Sequence, residues 1–304
     1  MILLYHLVFP NATPKDAWNA GDIIRLSAFQ RHLRWLRKRF EILPLDAYMS
    51  AFHKNPGDLK GKFALTFDDG YQQVYDLVAP FLKKEHIPAT FFAATSHLED
   101  GELLWFVYFN ALCSEQCYEH IDIEGKTYSL TDRKSSLGAW QKLIHLARKS
   151  GKPIEFARGI AQKYPLPADS IQKYAGLTTD QIKQIGEFEL FDVGGHTHRH
   201  PYLDQIPKEE QIKEIQHNKE ILERLTGQPL RYFAYTGGLY NADTIKAVKV
   251  LGFQAGFAIN PKNIGQEKAY EMPRVDIYSS SLLKFKLKVL GLGDYLRRFI
   301  FWNK

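Results

Sequence analysis

The sequence predicts an α/β fold in which parallel strands alternate with helices, as an open sheet or as a closed barrel. Residues 63–67 and 89–94 are short apolar runs, and residues 72–86 between them repeat apolar side chains at helical spacing. A strand, a helix and a strand in so short a stretch form a βαβ unit. The same order returns between residues 179 and 258. At 304 residues and 45% hydrophobic composition, the chain can bury a core of this size.

The elements follow one another along the chain. We predict a first strand at residues 3–9 and then a helix, capped by Ser27, that buries Phe29, Leu33, Leu36 and Phe40. After the βαβ unit, the second half contains predicted helices at residues 179–185, 208–225 and 242–251, and strands at 190–193, 232–235 and 255–258. Residues 100–176 break the alternation, so we interpret them as an insertion after the third strand.

The charge is unevenly distributed. Residues 27–40 and 282–304 each carry a net charge of +5, although the whole chain carries only +6. A nucleic-acid-binding protein would be more uniformly basic, so we expect no nucleic-acid partner. Local basic segments are typical of contacts with phosphates or anionic membranes, and also of solvated helix faces.

The two cysteines and the first residues of the chain bear on its location. Cys113 and Cys117 stand four apart, which favours one helix face and reduced thiols over a disulfide or a zinc framework. The first residues lack the pattern of a signal peptide, and the sequence has no run of about 20 apolar residues. We therefore expect a cytoplasmic protein.

Residues 282–304 form a segment of their own after a catalytic domain predicted at residues 1–281. Apolar residues recur there at spacings of three and four, surrounded by basic ones; the apolar set is Leu282, Phe285, Val289, Leu292, Leu296 and Phe299. Such a basic amphipathic segment is typical of a helix on an anionic membrane, here the inner face, or of one docked on a partner. Packing on the domain itself is the alternative.

Two motifs carry the candidate chemistry. Asp68 and Asp69 end a predicted strand, and the later stretch GGHTHRHPYL places His196, His198 and His200 within five residues. Imidazoles with a carboxylate are ligands that Zn²⁺ and related divalent ions prefer, and three protein ligands leave a position open for water. One aspartate can then bind the metal while the other acts as a base. Because Pro201 disfavours a helix at His200, we expect a turn in which His198 points elsewhere.

These motifs resemble the polysaccharide deacetylases, carbohydrate esterase family 4. TFDDG at residues 66–70 is similar to the first family motif, and HTHRH at residues 196–200 is similar to the second. The resemblance covers residues 63–94 and 177–276, and it implies a deformed (β/α) barrel. It also assigns Asp68 as the catalytic base and Asp69, His196 and His200 as the ligands of a divalent metal, most simply Zn²⁺.

The remaining motifs depart from the family pattern. FAYTGG at residues 233–238 has Thr236 and Gly237 where relatives have Pro and Tyr, so Gly237 keeps a backbone amide for the oxyanion but the groove wall is expected to be lost. In MPRVDIY, Arg274 or Asp276 either orients the base or forms a structural salt bridge.

The resemblance also assigns the general acid to a late histidine, and that residue is absent because no histidine follows His217. His6 is the candidate replacement, with a core histidine as the alternative.

The reaction expected from these residues is hydrolysis of N-acetyl groups from an amino-sugar glycan or a glycan precursor, with release of acetate. The altered third motif leaves open a metal-dependent hydrolase of another non-peptide C–N bond, or a degenerate relative that only binds glycan. Aromatic side chains that could stack on sugar rings, or belong to the core, are Trp105, Tyr202, Tyr235 and Tyr240.

Overall fold

Seven parallel strands close into a barrel in a computed structural model that describes residues 1–13, 24–265 and 267–292. Around the barrel the strands run in the order β1 (Ile2–Tyr5), β12 (Met272–Asp276), β11 (Ala255–Ala258), β10 (Tyr232–Ala234), β9 (Phe191–Gly195), β6 (Ala89–Ala93) and β5 (Lys62–Phe67). Closure comes from β1, which pairs with both β12 and β5. The barrel is deformed where β10 meets β9, since those strands share one register pair, Phe233 with Gly195.

Short strands and helices complete the structure. The other strands are β2 (Val8–Phe9), β3 (Ile24–Arg25), β4 (Glu41–Ile42), β7 (His120–Ile123) and β8 (Lys126–Ser129). The helices are α1 (Leu26–Arg37), α2 (Leu45–Lys54), α3 (Gln72–Glu85), α4 (His97–Asp100), α5 (Trp105–Ser114), α6 (Arg133–Lys149), α7 (Pro153–Lys163), α8 (Ala168–Lys173), α9 (Thr179–Glu187), α10 (Lys208–Thr226), α11 (Ala242–Val250) and α12 (Leu282–Val289). The predicted (β/α) barrel is therefore confirmed.

The first predicted strand is divided in two. β1 is buried along its whole length in the barrel, whereas β2 leaves the barrel and pairs with β3. His6 lies in the break, at the carboxyl end of β1. The predicted cap of α1 is wrong, because the helix starts at Leu26 and the Ser27 backbone amide donates to Asn11 Oδ1.

The predicted insertion lies between β6 and α9 and has its own apolar core. Helices α5, α6 and α7 pack there with the β7–β8 hairpin, around buried side chains that include Phe109, Ile121 and Leu143. Cys113 is buried on α5, but Cys117 lies beyond the end of that helix, so the expectation that both face one helix side is wrong. Both thiols are free.

Helix α12 packs on the barrel through part of its apolar stripe. Phe285 and Val289 are buried, and the Phe285 ring stacks on His32 of α1 with 4.2 Å between ring centroids. Leu292 is exposed, and the stripe's remaining members, Leu296 and Phe299, lie outside the described residues. Within the described part of the chain, no helix is both long and apolar enough to cross a membrane.

Candidate active site

The carboxyl ends of the barrel strands bring the predicted site residues to one cavity of about 600 Å³. Parallel strands deliver their ends to the same rim, which is why residues far apart in sequence meet there. The predicted catalytic and metal-binding residues that line this cavity are His6, Asp68, Asp69, His196, His200, Gly237 and Asp276. Arg274 lies beneath them on β12, against Asp68.

Asp69, His196 and His200 form a buried cluster. Asp69 Oδ1 lies 3.3 Å from His196 Nε2 and 3.4 Å from His200 Nε2. Each of the three side chains is almost completely excluded from solvent. Burial acts to raise the pKa of Asp69, but interactions with the two imidazoles hold it well below its usual value. The carboxylate is therefore ionised over the whole physiological pH range.

The donor set fits a divalent cation. His196 Nδ1 lies 2.8 Å from the backbone carbonyl oxygen of Ala234, which can only accept a hydrogen bond, so Nδ1 carries the proton. Nε2 is then the ring nitrogen that faces the Asp69 carboxylate, and a cation between the two atoms would be bound by both. Ligand atoms of a tetrahedral Zn²⁺ site lie about 3.3 to 3.4 Å apart, which matches the two distances in this cluster.

The loop that carries His200 is held in an unusual backbone conformation. Thr197 and His200 have φ values of +62° and +58°, which non-glycine residues rarely adopt. The His200 amide donates to Thr197 Oγ1 at 3.0 Å, and the His200 carbonyl accepts from Trp105 Nε1 at 3.0 Å. The Phe106 ring lies 4.5 Å from the imidazole. The insertion thus orients a residue of the barrel site, a role that the sequence did not reveal.

Asp68 is paired with Arg274 through two hydrogen bonds. Nη1 and Nη2 of Arg274 each lie 2.6 Å from one of the Asp68 carboxylate oxygens, and both side chains are buried. Burial acts to raise the pKa of Asp68, but the guanidinium and His196 lower it overall. Asp68 Oδ2 also lies 3.9 Å from His196 Nε2, so the carboxylate faces the cluster. Of the two predicted partners of the base, the structure brings Arg274 and not Asp276 to Asp68.

Asp276 lies beside His6 instead. Its Oδ1 atom is 3.5 Å from His6 Nδ1, an ion-pair distance, and the imidazole is 37% exposed to the cavity. Burial acts to lower the pKa of His6, but attraction to Asp276, Asp69 and Asp68 raises it to about 9. His6 is therefore partly exposed to the cavity and paired with Asp276, and it is not a core residue bonded to backbone.

The sequence analysis predicted that the groove wall at Gly237 is lost. In the structure, the Tyr202 ring lies at this position. Gly237 has φ of +58°, and a Cβ atom built on it would lie 3.0 Å from Cε1 of the Tyr202 ring. Tyr202 thus fills space next to the glycine, and the Arg148 guanidinium lies 4.5 Å from its ring centroid. The Thr236 hydroxyl donates to the Pro201 carbonyl, which joins this turn to the loop before Tyr202.

One face of helix α6, in the insertion, also lines the cavity. Trp140, Ile144 and Arg148 recur at spacings of four and line it. Two of the aromatics predicted to stack on sugars do not line it: Trp105 is buried against His200, and Tyr240 is buried with its hydroxyl donating to Glu271. Tyr202 and Tyr235 reach the cavity, although Tyr235 is only 1% exposed.

Comparison of the sequence with known protein families gives a match over most of the chain. The family model described as polysaccharide deacetylase matches residues 56–151 and 160–256. A poly-beta-1,6-N-acetyl-D-glucosamine N-deacetylase of Staphylococcus epidermidis is 27% identical over 254 residues, which is 81% of this chain. The match spans 65% of the length of that relative.

Solved structures share the fold at low sequence identity. The Streptococcus pyogenes deacetylase PplD, in complex with acetate, superposes with a TM-score of 0.61 at 20% identity, over 93% of this chain and 95% of that one. IcaB from Ammonifex degensii gives a TM-score of 0.58 at 20% identity, over 96% and 95% of the two chains.

Proposed function

Because this chain belongs to the polysaccharide deacetylase family, we propose that it is a metal-dependent hydrolase that removes N-acetyl groups from an amino-sugar glycan and releases acetate. The observation that carries the proposal is the buried Asp69–His196–His200 cluster facing the Asp68 carboxylate in one open cavity. The presence of all four residues, Asp68, Asp69, His196 and His200, in one cavity supports catalysis over a relative that only binds glycan.

Asp69, His196 and His200 would hold the divalent ion. When bound, such an ion supplies a Lewis acid that polarises the acetyl carbonyl and lowers the pKa of water. The tautomer of His196 is set by the Ala234 carbonyl, and the position of His200 by Trp105. These contacts keep the donor atoms in place before substrate arrives.

Asp68 is the proposed general base. Its pKa is lowered, so the carboxylate is ionised at neutral pH and Oδ2 can accept a proton from the attacking water. Arg274 fixes both oxygens and keeps the buried charge compensated. The low pKa makes Asp68 a weak base, which would suit a water molecule whose own pKa the bound ion lowers.

His6 and Gly237 are proposed for the other end of the reaction. Since its pKa is raised to about 9, His6 is protonated at neutral pH and can donate its proton to the leaving amine nitrogen. The Gly237 amide, at the cavity rim, is proposed to donate to the oxyanion that forms on the acetyl oxygen.

A polymer of β-1,6-linked N-acetylglucosamine is the first substrate to test, because the Staphylococcus epidermidis relative is named for it. The experiment measures acetate released from β-1,6-linked and β-1,4-linked N-acetylglucosamine oligomers and from simple acetamides. The protein is assayed as purified, after removal of metal by a chelator, and after Zn²⁺ is restored. We expect acetate from an oligomer, lost with the metal and regained with Zn²⁺.

Other outcomes would assign another function. Hydrolysis of the simple amides alone would indicate a different C–N bond as the target. Binding of oligomers with no acetate from any substrate would indicate a glycan-binding protein.

We also propose a cytoplasmic location, with contact to an anionic membrane through residues 282–304. Leu283 and Leu290, seven residues apart near the two ends of α12, are exposed and support a second apolar surface there. The buried Phe285 and Val289 count against it, because they are already used in packing on the domain. Co-sedimentation with anionic vesicles, comparing the full chain with one ending at Ser281, tests the membrane contact.

A further inference from the structure

A second cluster of metal-binding side chains lies outside the cavity of the proposed reaction. Glu99 of α4, His198 of the loop after β9 and His217 of α10 bring ligand atoms within 4.8 Å of one another. His217 Nε2 lies 3.0 and 3.1 Å from the two carboxylate oxygens of Glu99. His198 Nε2 lies 3.4 Å from Glu99 Oε2. Three segments distant in sequence thus converge on one point.

We propose that Glu99, His198 and His217 bind a second divalent cation of the Zn²⁺ class. Two imidazoles and one carboxylate are the same donor set as in the first cluster, and they suit borderline divalent metals. The 3.4 Å separation between His198 and Glu99 matches the spacing of about 3.3 to 3.4 Å expected between ligands around Zn²⁺. The shorter distances from Glu99 to His217 are those of a hydrogen bond, which an ion bound between the two side chains would replace.

The His198 ring is held in place by neighbouring residues. Its Nδ1 atom lies 3.0 Å from Thr95 Oγ1, and that hydroxyl also accepts from Asn218 Nδ2. Asn218 in turn accepts from the His196 backbone amide through Oδ1. In a metal-bound histidine the second ring nitrogen donates its proton to such a neighbour, so the proposal requires the Nδ1–H of His198 to donate to Thr95 Oγ1. One buried asparagine thereby links the supports of both clusters.

The second cluster is more open than the first. His198 is buried, but the side chains of Glu99 and His217 are almost half exposed, beside a cavity of about 630 Å³. Water can therefore complete the coordination, and the ion can exchange with solvent. A chelator should remove this ion before it removes one held by the buried Asp69, His196 and His200.

The position of the cluster indicates a structural role. His198 lies between His196 and His200, so an ion held with Glu99 and His217 would clamp this loop to α4 and α10. The alternative is that the three side chains only share hydrogen bonds and that no ion binds.

Metal content distinguishes the two. The full chain is dialysed against a buffer of known Zn²⁺ concentration, and bound zinc per chain is measured as the excess over that buffer, together with the melting temperature with and without Zn²⁺. We expect about two equivalents for the unchanged protein and about one for His217→Ala and for Glu99→Gln. The unchanged protein should also show a Zn²⁺-dependent rise in melting temperature that is smaller in both variants.

The controls make each outcome decisive. His145→Ala removes an exposed histidine from α6 and should keep two equivalents. Asp69→Asn should lose only the ion of the first cluster, so retention of one equivalent there shows that the second site is independent. The same zinc content in the unchanged protein and in His217→Ala, or no zinc retained in Asp69→Asn, would overturn the proposal.

Discussion

Arg274 and Asp68 are 206 residues apart in the chain, and the guanidinium binds both oxygens of the carboxylate at 2.6 Å in the interior of the barrel. The pair lies at the carboxyl end of β5 and on β12, which are separated in the sheet only by β1. The pair therefore joins the two strands that flank β1, where the barrel closes. Substitution of either residue should affect both catalysis and the stability of the fold.

Asp68→Asn should abolish turnover and leave zinc binding intact, because the amide keeps the shape of the side chain but cannot accept a proton from water. General-base catalysis contributes about 10² to 10⁴, so a loss of at least that size in kcat is expected. Acetate release and zinc content are measured on the same preparation. A decrease of less than about tenfold would contradict the role of Asp68, and loss of zinc would mean that Asp68 is itself a ligand.

Arg274→Met should destabilise the fold by about 3 to 5 kcal/mol, since it leaves the buried Asp68 charge without a partner. The double variant Asp68→Asn with Arg274→Met should recover much of this free energy, because the uncompensated charge is gone. Denaturant unfolding of both variants measures the difference. Equal stability of the single and double variants would show that the pair is unimportant for folding.

Trp105→Phe should weaken zinc binding at the Asp69, His196 and His200 cluster, because it removes the indole N–H that holds the His200 carbonyl. Loss of a contact that orients a ligand typically costs about 10- to 100-fold in metal affinity. Trp140→Phe is the matched control: its buried Nε1 makes no hydrogen bond within the described structure. Competition with a zinc-binding dye gives the affinities. Similar affinities for the two variants would argue against the role of Trp105.

The alkaline limb of the pH profile should report His6. If protonated His6 donates to the leaving amine, kcat/KM falls as the pH rises through about 9. Asp276→Asn removes the carboxylate that attracts the imidazolium, so the limb should move to lower pH. If the alkaline limb stays at the same pH in this variant, His6 is not the proton donor.

The same shift in the pKa of His6 affects stability. The folded-state pKa is raised above the ordinary value of 6.5, so the stabilisation is fully present below about pH 6.5 and is lost as the pH rises through about 9. Unfolding of the wild-type protein and of His6→Gln, compared at pH 6 and pH 10, measures this loss. If the stability difference between the two proteins is the same at pH 6 and pH 10, His6 is neutral in the folded protein.

The sequence predicted the parts of the site that arise from short motifs at strand ends. Asp68 with Asp69, and His196 with His200, converge because parallel strands share a rim, and this rule needs no knowledge of side-chain packing. His198 does point away from that cluster, as the turn at Pro201 led us to expect. The partners that it meets instead, Glu99 and His217, carry no local signal in the sequence.

Contacts made by the insertion could not be predicted. Trp105 reaches the His200 carbonyl and Arg148 reaches Tyr202 because the insertion folds back over the rim, and periodicity does not specify that docking. The replacement of the missing wall by Tyr202 depends on the space beside Gly237, which only the three-dimensional structure describes. The failed cap at Ser27 has the same origin, since Asn11 from a distant loop binds its amide.

The closure of the barrel also sets an order for assembly on the ribosome. β1 is synthesised early, but its neighbour β12 follows only after α11, β11 and the intervening loop. A nascent chain stalled at Glu271 has no Arg274, so its Asp68 carries an uncompensated charge and one edge of β1 has no partner. Such a chain should be more sensitive to protease than one stalled well after β12. We therefore expect closure of the barrel and compensation of the Asp68 charge to occur together, late in synthesis.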